Sequence, residues 1–317
     1  MIKQFCYRCL VAFKQLLQRL KRRNGQVISF ELRPDGIAWC SNTGLNGQVL
    51  EAGFVESRPA GREEALASLV AERGWKGGQA RLVLSQDQYK VFQLERPDGL
   101  EDAELANAMR WKLKDLIDYS PSEAVCDVFS FPEDAIRGGQ SMINVAVSRK
   151  ALVMEAVDLM ARCGLQLAVV DIGELALRNL SERVDPAGSG VALLFLRERH
   201  GKVLICKGDT LYVARRVDTG YAHLADVASQ EPSVQALGLE MQRSLDYFES
   251  QLGQRPPRRA LLLTRDNSVA MASMLSSQLA SGLTALDWEL FGLNEPLDHR
   301  AVLAWSTLLP APDGIAA

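Results

Sequence analysis

One order of elements limits what this chain can fold into more than any other feature. Three short strand-like runs are followed by a helix and a further strand, and the whole order occurs twice. Residues 26–32, 36–41 and 48–56 read as strands, because Arg33-Pro34-Asp35-Gly36 and Asn42-Thr43-Gly44-Leu45-Asn46-Gly47 interrupt an otherwise β-prone stretch with turn formers. A helix over 62–73, with Ala65, Leu66, Leu69 and Val70 facing inward, leads to strands at 80–84 and 90–95. The pattern returns with strands at 191–196, 202–206 and 210–216, helices near 220–228 and 233–252, and a strand at 259–264. The halves share no visible identity, so the duplication is one of architecture, with Asp185-Pro186-Ala187-Gly188-Ser189-Gly190 as its boundary. Two lobes suit 317 residues, and a cleft between lobes is where a ligand belongs.

An extra unit interrupts the first half. Pro97-Asp98-Gly99 turns the chain into a helix expected over 101–118, acidic in its first turn and basic later, as the helix dipole favours. Strands at 125–131 and 142–148 then enclose a Gly138-Gly139 loop, and a helix over 150–163, a strand over 165–170 and a helix over 174–183 complete the lobe. The expected plan is a basic amphipathic helix (1–24), a first lobe in two parts (26–96 and 149–184), an inserted subdomain (97–148), a second lobe (191–309) and a tail (310–317).

A net charge of −3 argues against a dedicated nucleic-acid binder, whose folded domain is usually clearly basic. The six cysteines are scattered apart from Cys6-x-x-Cys9, and no second pair or histidine cluster completes a metal set. Cys40, Cys126, Cys163 and Cys206 are therefore expected as small buried apolar residues. His200, His223 and His299 lie in no nucleophile or metal motif. The uncharged stretch 268–286 is too rich in serine to span a bilayer.

Several runs carry a family resemblance. They are Leu94-Glu95-Arg96-Pro97-Asp98-Gly99-Leu100-Glu101-Asp102-Ala103-Glu104-Leu105, Arg110-Trp111-Lys112, Ile117-Asp118-Tyr119-Ser120-Pro121, the run from Val169 to Leu180, and Leu239-Glu240-Met241-Gln242-Arg243-Ser244-Leu245-Asp246-Tyr247-Phe248. In these the chain resembles the PilM-type assembly proteins of type IV pili, most closely the MshI branch of the mannose-sensitive haemagglutinin (MSHA) system. The resemblance implies an α/β, two-lobed actin-like ATPase (ASKHA) fold with a small α+β subdomain inserted in the first lobe. It implies a scaffold in the cytoplasm, peripheral on the inner membrane, that binds the cytoplasmic N-terminal tail of a bitopic pilus assembly protein. The tail would dock between the insert and the first lobe, where Trp111 and Tyr119 could supply aromatic surface or simply be core.

Such a fold ordinarily holds ATP through two Asp-x-Gly hairpins and a Gly-Gly pair, whose acids hold magnesium and whose glycines admit phosphate to the backbone. Here the first hairpin reads Glu31-Leu32-Arg33-Pro34, the second Phe195-Leu196-Arg197-Glu198, and the third position Leu263-Thr264-Arg265-Asp266-Asn267. No cofactor, metal or catalytic residue is expected. Glu240, Arg243 and Ser244 are the remnant candidates for an adenosine contact, against the plainer reading of a polar helix face. Asp171-Ile172-Gly173 follows a single strand and opens a helix, so it reads as a helix cap rather than a magnesium site. The competing readings are a weak ATPase of a pilus or type II secretion platform and, more remotely, a small-molecule kinase.

Residues 1–24 carry +7 without an acid, leaving −10 on the rest. Their apolar residues recur every three or four positions, placing Phe5 and Phe13 on one face and Lys3, Arg8, Lys14, Arg19, Lys21, Arg22 and Arg23 mostly opposite. Such a helix suits an anionic membrane surface, at ~1 kcal/mol per cation near the headgroups; docking on its own protein or on a partner helix is the alternative. Deleting 1–24 is expected to release the protein from anionic vesicles in a sedimentation assay while leaving its melting temperature nearly unchanged, and high salt to weaken attachment of the intact chain. Equal sedimentation of the two chains overturns the membrane reading.

Overall fold

The computed structural model describes residues 26–43, 49–135, 141–265, 268–277, 279, 282–293 and 295–309. The expected N-terminal helix 1–24, the Gly138-Gly139 loop and the tail 310–317 lie outside them. Along the chain come β1 (Gln26–Arg33), β2 (Gly36–Thr43), β3 (Val49–Glu56), α1 (Arg62–Glu72) and β4 (Gln79–Leu84). Then follow β5 (Tyr89–Glu95), α2 (Asp102–Lys112), β6 (Ala124–Ser130), β7 (Met142–Arg149), α3 (Lys150–Arg162), β8 (Gln166–Ile172) and α4 (Gly173–Val184). The second half holds β9 (Val191–Leu196), β10 (Gly201–Lys207), β11 (Thr210–Val217), α5 (Tyr221–Ala225), α6 (Gln230–Ser250), β12 (Arg259–Leu263), α7 (Ser268–Ser276), β13 (Thr284–Ala285) and α8 (Val302–Ser306).

The repeated order of elements becomes a repeated topology. One five-stranded sheet runs β3-β2-β1-β4-β8 and the other β11-β10-β9-β12-β13. In each, an antiparallel meander is extended by a strand parallel to its first, β4 beside β1 and β12 beside β9, and the intervening helices make those parallel crossovers possible. The first turn is fixed by local chemistry: Arg33 donates to both carboxylate oxygens of Asp35 at 2.8 and 3.0 Å. A Cβ on Gly36 would lie 2.3 Å from the carbonyl oxygen of Val55, so only glycine lets β3 approach there.

Each lobe has its own core. Phe30, Trp39 and Trp75 pack edge to face in the first, and Tyr212 meets Phe248 in the second. A third core lies between the lobes, joining Cys40 and Val83 to Leu177, Leu180, Leu193, Cys206, Leu261 and Trp305. Helix α4 is buried on nearly all sides because it runs through this shared core.

Three expected boundaries move. Strand β5, counted with the first lobe (26–96), belongs to the small sheet, whose order is β5-β7-β6. It pairs with β7 from Tyr89↔Ser148 to Glu95↔Met142, so the insert starts before residue 97. The helix expected over 101–118 ends at Lys112, with turns carrying Leu116 and Ile117 back to the Leu113 carbonyl. The end of the 191–309 lobe returns to the first lobe. There Ser29 and Thr307 share a 2.7 Å hydroxyl bond, Arg81 donates to the Thr307 carbonyl, and Asn179 donates to the Ser306 carbonyl at 3.2 Å.

The cysteines follow the expectation in part. Cys40, Cys163 and Cys206 are buried and Cys126 is half-buried, all as free thiols. Burial pushes Cys40 and Cys206 up to about 12 and Cys126 up to about 11, which leaves little thiolate at neutral pH. Trp305 is fully buried against Trp288 and Phe291, with ring centroids 5.5 and 4.9 Å away. Trp305→Ala is expected to lower the unfolding free energy by about 3–5 kcal/mol in urea melts; a loss under about 1 kcal/mol contradicts α8 as a structural keystone.

Candidate functional site

The two lobes meet where both hairpins end. Glu31, near the end of β1, is fully buried (0 % exposed). Among the described residues the side chain that bonds it is Arg197, the residue after β9, whose Nη2 donates to Oε1 at 2.6 Å and Oε2 at 2.5 Å. A carboxylate removed from water requires a counter-ion, and this one comes from the opposite lobe. The Arg197 guanidinium also lies over Phe195, 5.6 Å from its ring centroid. Arg300 lies 4.1 Å from the Phe54 ring centroid and Arg33 5.6 Å from it, so two cations stack on one ring of β3.

A second buried polar group joins the same hairpin to the first lobe. Lys202 on β10 (4 % exposed) is ion-paired with Glu174 in the first turn of α4 and donates to the Tyr89 hydroxyl at 2.7 Å. Tyr89 in turn donates to Glu174 and accepts from the Gly173 N–H at 3.1 Å. Burial and the Glu174 carboxylate both raise Tyr89 well above its ordinary range, so it keeps its proton and acts as the donor. Burial pulls Lys202 down, and Glu174 works against that. At the hairpin tip, burial and the charges of Arg197, Arg216 and Lys202 push His200 down to about 4, so it is neutral at pH 7.

The sequence-level candidates are dispersed. Glu240 and Arg243 form a 2.8 Å pair on the outer face of α6, and Ser244 is buried, donating to the Glu240 carbonyl at 2.7 Å. Trp111 stands 60 % exposed on α2, with Leu116 also exposed nearby in the chain. Tyr119 is half-buried beneath the Arg149 guanidinium, 4.2 Å from its ring centroid. Lys3, Phe5, Arg8, Phe13, Lys14, Arg19, Lys21, Arg22 and Arg23 fall outside the described residues. Asp171 does not cap α4 as expected: its carboxylate accepts the adjacent Ile172 N–H at 2.7 Å, and the helix start has no side-chain cap.

An open depression of about 630 Å³ lies on the second lobe beside the hairpin, lined by Glu198, Tyr221, Ala222, Asp226, Arg265 and Met271 among others. None of the remnant candidates lines it. Among the described residues no group of three or more His, Cys, Asp and Glu is placed to hold a metal ion, and no helix is long and apolar enough to cross a membrane. Sequence reading missed Arg197, Lys202, Glu174 and Tyr89 as partners. Its one available signal was charge within otherwise apolar, buried-looking segments, and charge alone does not name the partner.

No protein-family model matches the chain, and no curated protein is significantly similar to it in sequence. Solved structures are similar in fold. A chain of the PilM–PilN type IV pilus biogenesis complex superposes with a TM-score of 0.69 at 19 % identity, covering 89 % of this chain and 97 % of that one. The cytoplasmic domain of EpsL, an inner-membrane component of the type II secretion system of Vibrio cholerae, gives 0.52 at 16 % identity, covering 90 % and 95 %. A Bacteroides thetaiotaomicron protein with an actin-like ATPase fold gives 0.51 at 9 % identity, covering 88 % and 95 %. The fold is the expected actin-like one: two mixed five-stranded sheets and a small antiparallel three-stranded sheet.

Burial pushes Asp171 up to about 6 from 3.8, with Glu174 adding to the rise and Arg178, Arg81 and the Ile172 N–H opposing it. A group with a raised folded pKa contributes stability below its unfolded value, and that contribution is lost as pH rises through about 6. Asp171→Asn keeps the acceptor for Ile172. It is expected to be about 1–2 kcal/mol more stable than the parent at pH 7.5, allowing for partial exposure, and equal to it near pH 4. Urea melts at both pH values check this; a destabilised variant at pH 7.5 contradicts it.

Proposed function

We propose that this chain is a non-catalytic PilM-type scaffold, of the MshI kind used in MSHA-like pili, in pilus biogenesis or a related secretion platform. In this reading it binds the cytoplasmic N-terminal tail of a bitopic inner-membrane assembly protein and lies against the inner membrane, with 1–24 on the anionic leaflet. The fold likeness to a chain from a PilM–PilN complex and to the EpsL cytoplasmic domain supports the choice of machine.

The observation that carries the non-catalytic reading is Glu31 in the grip of Arg197. This is the carboxylate that would have to serve a magnesium ion, and it is already neutralised and bonded through both oxygens. The glycines nearby serve the chain itself. A Cβ on Gly201 would meet the Phe195 carbonyl oxygen at 2.5 Å, and one on Gly220 the Arg197 carbonyl oxygen at 2.3 Å. The residues present do not fit a metal–phosphate group, and fold alone confers no activity. The ATPase alternative requires Glu31 to be released from Arg197.

For the partner, Trp111 is the strongest anchor: a large aromatic left exposed on the insert, of the type that dominates binding energy when a ligand covers it. An extended tail gripped between the insert and the first lobe would use strand edges and such pockets. Titration calorimetry with millimolar Mg-ATP is expected to give no saturable heat. Synthetic N-terminal tails of the inner-membrane pilus proteins are expected to bind, with Trp111→Ala weakening them about tenfold or more. Magnesium-dependent ATP binding abolished by Glu31→Ala would promote the ATPase; unchanged tail affinity in Trp111→Ala moves the docking surface elsewhere.

A further inference from the structure

Arg197 and Lys202 lie on one hairpin. Strands β9 and β10 pair with Gly201 opposite Leu196 and Lys202 opposite Phe195, and the Arg197 N–H closes the tip onto the His200 carbonyl at 2.8 Å. The hairpin therefore presents two cations to the first lobe, which meets them with two buried carboxylates, Glu31 on β1 and Glu174 on α4. The second prong touches a third body as well, because Tyr89 is the first residue of the small sheet's β5.

We propose that the β9–β10 hairpin is a two-pronged clamp whose side chains hold both lobes and the small sheet in one arrangement. The tip is braced from behind. The Tyr221 and Ala222 N–H groups donate to the Arg197 and Glu198 carbonyls at 2.8 and 2.9 Å, and Gly220 lies too close to those carbonyls to carry a Cβ. Parting the lobes would strip two buried carboxylates of their cations at once, and a buried carboxylate without a counter-ion is strongly unfavourable. The low exposure of both pairs also protects them from salt screening. Closure by side chains rests on the reading of the cleft as not nucleotide-operated, and it adds that the insert's docking face is presented constantly, tied through Tyr89 to the lobes.

The test uses the full-length protein, Arg197→Met, Lys202→Met, and the charge swap Glu31→Arg with Arg197→Glu. Hydrogen exchange and small-angle scattering are read on each. Both Met variants are expected to show a larger radius of gyration than the parent. Amide exchange should be faster by about tenfold or more in β1, β9 and the start of α4; Lys202→Met should also release β5. The charge swap is expected to recover part of the lost protection. Millimolar methylguanidinium should protect Arg197→Met again, where methylurea does not. Met variants with the parent's exchange and radius overturn the clamp. If Arg197→Met does not fold, a swap that also fails to restore protection overturns it. Heat from Mg-ATP on the parent reports on the non-catalytic reading and the Arg197 variants report on the clamp, so the two fail separately.

Discussion

A carboxylate with no access to water must find its counter-ion in the protein, and Glu31 finds it in the other lobe. Once Arg197 is committed to that task, the relative placement of the two sheets is no longer free. The shared core around Leu177, Leu193 and Trp305 is buried in the same arrangement that satisfies the ion pair. Polar specificity and apolar burial therefore select the same geometry. Buried ion pairs contribute little net stability compared with apolar replacements, whereas losing one partner costs about 3–5 kcal/mol. That asymmetry makes them better at defining an arrangement than at strengthening it.

The architecture was legible because turns and periodicity are local. Arg33-Pro34-Asp35-Gly36 announces a hairpin to any reader of the sequence, and its duplicate order after residue 188 announces a second lobe. What escaped was sheet membership. Strand β5 looks like any other strand, and only its pairing with β7, from Tyr89↔Ser148 to Glu95↔Met142, assigns it to the small sheet. The return of α8 to the first lobe was hidden for the same reason, since Thr307 meets Ser29 across 278 positions. At the cleft, reading hairpin by hairpin noticed that the expected acids and glycines were replaced. It could not see that Glu31 and Arg197, in separate hairpins, answer one another. Asp171 failed differently: its motif promised a cap, and its neighbouring N–H took the carboxylate instead.

The small sheet joins the rest asymmetrically. Its own core, built on Leu105, Met109, Leu113, Ile143, Val145 and Val147, is separate from the lobe cores. Near its base, Tyr89 enters the buried polar group, and Ser148 donates to the Gln88 carbonyl at 2.7 Å. Trp111 projects to solvent from the helix that covers this sheet. Trp111, exposed on α2, and Tyr89, buried against Lys202 and Glu174, thus belong to the same small unit.

The pairing of Glu31 with Arg197 also constrains how such a chain can change over generations. Replacing either residue alone passes through a protein with an unpaired charge in its interior, and most proteins have only about 5–15 kcal/mol of stability to lose. A substitution at either position is therefore expected to be tolerated best when the other changes with it, although 166 positions separate them. The pair is thus easily kept and costly to change one residue at a time, a constraint that the shape of the shared core alone would not impose.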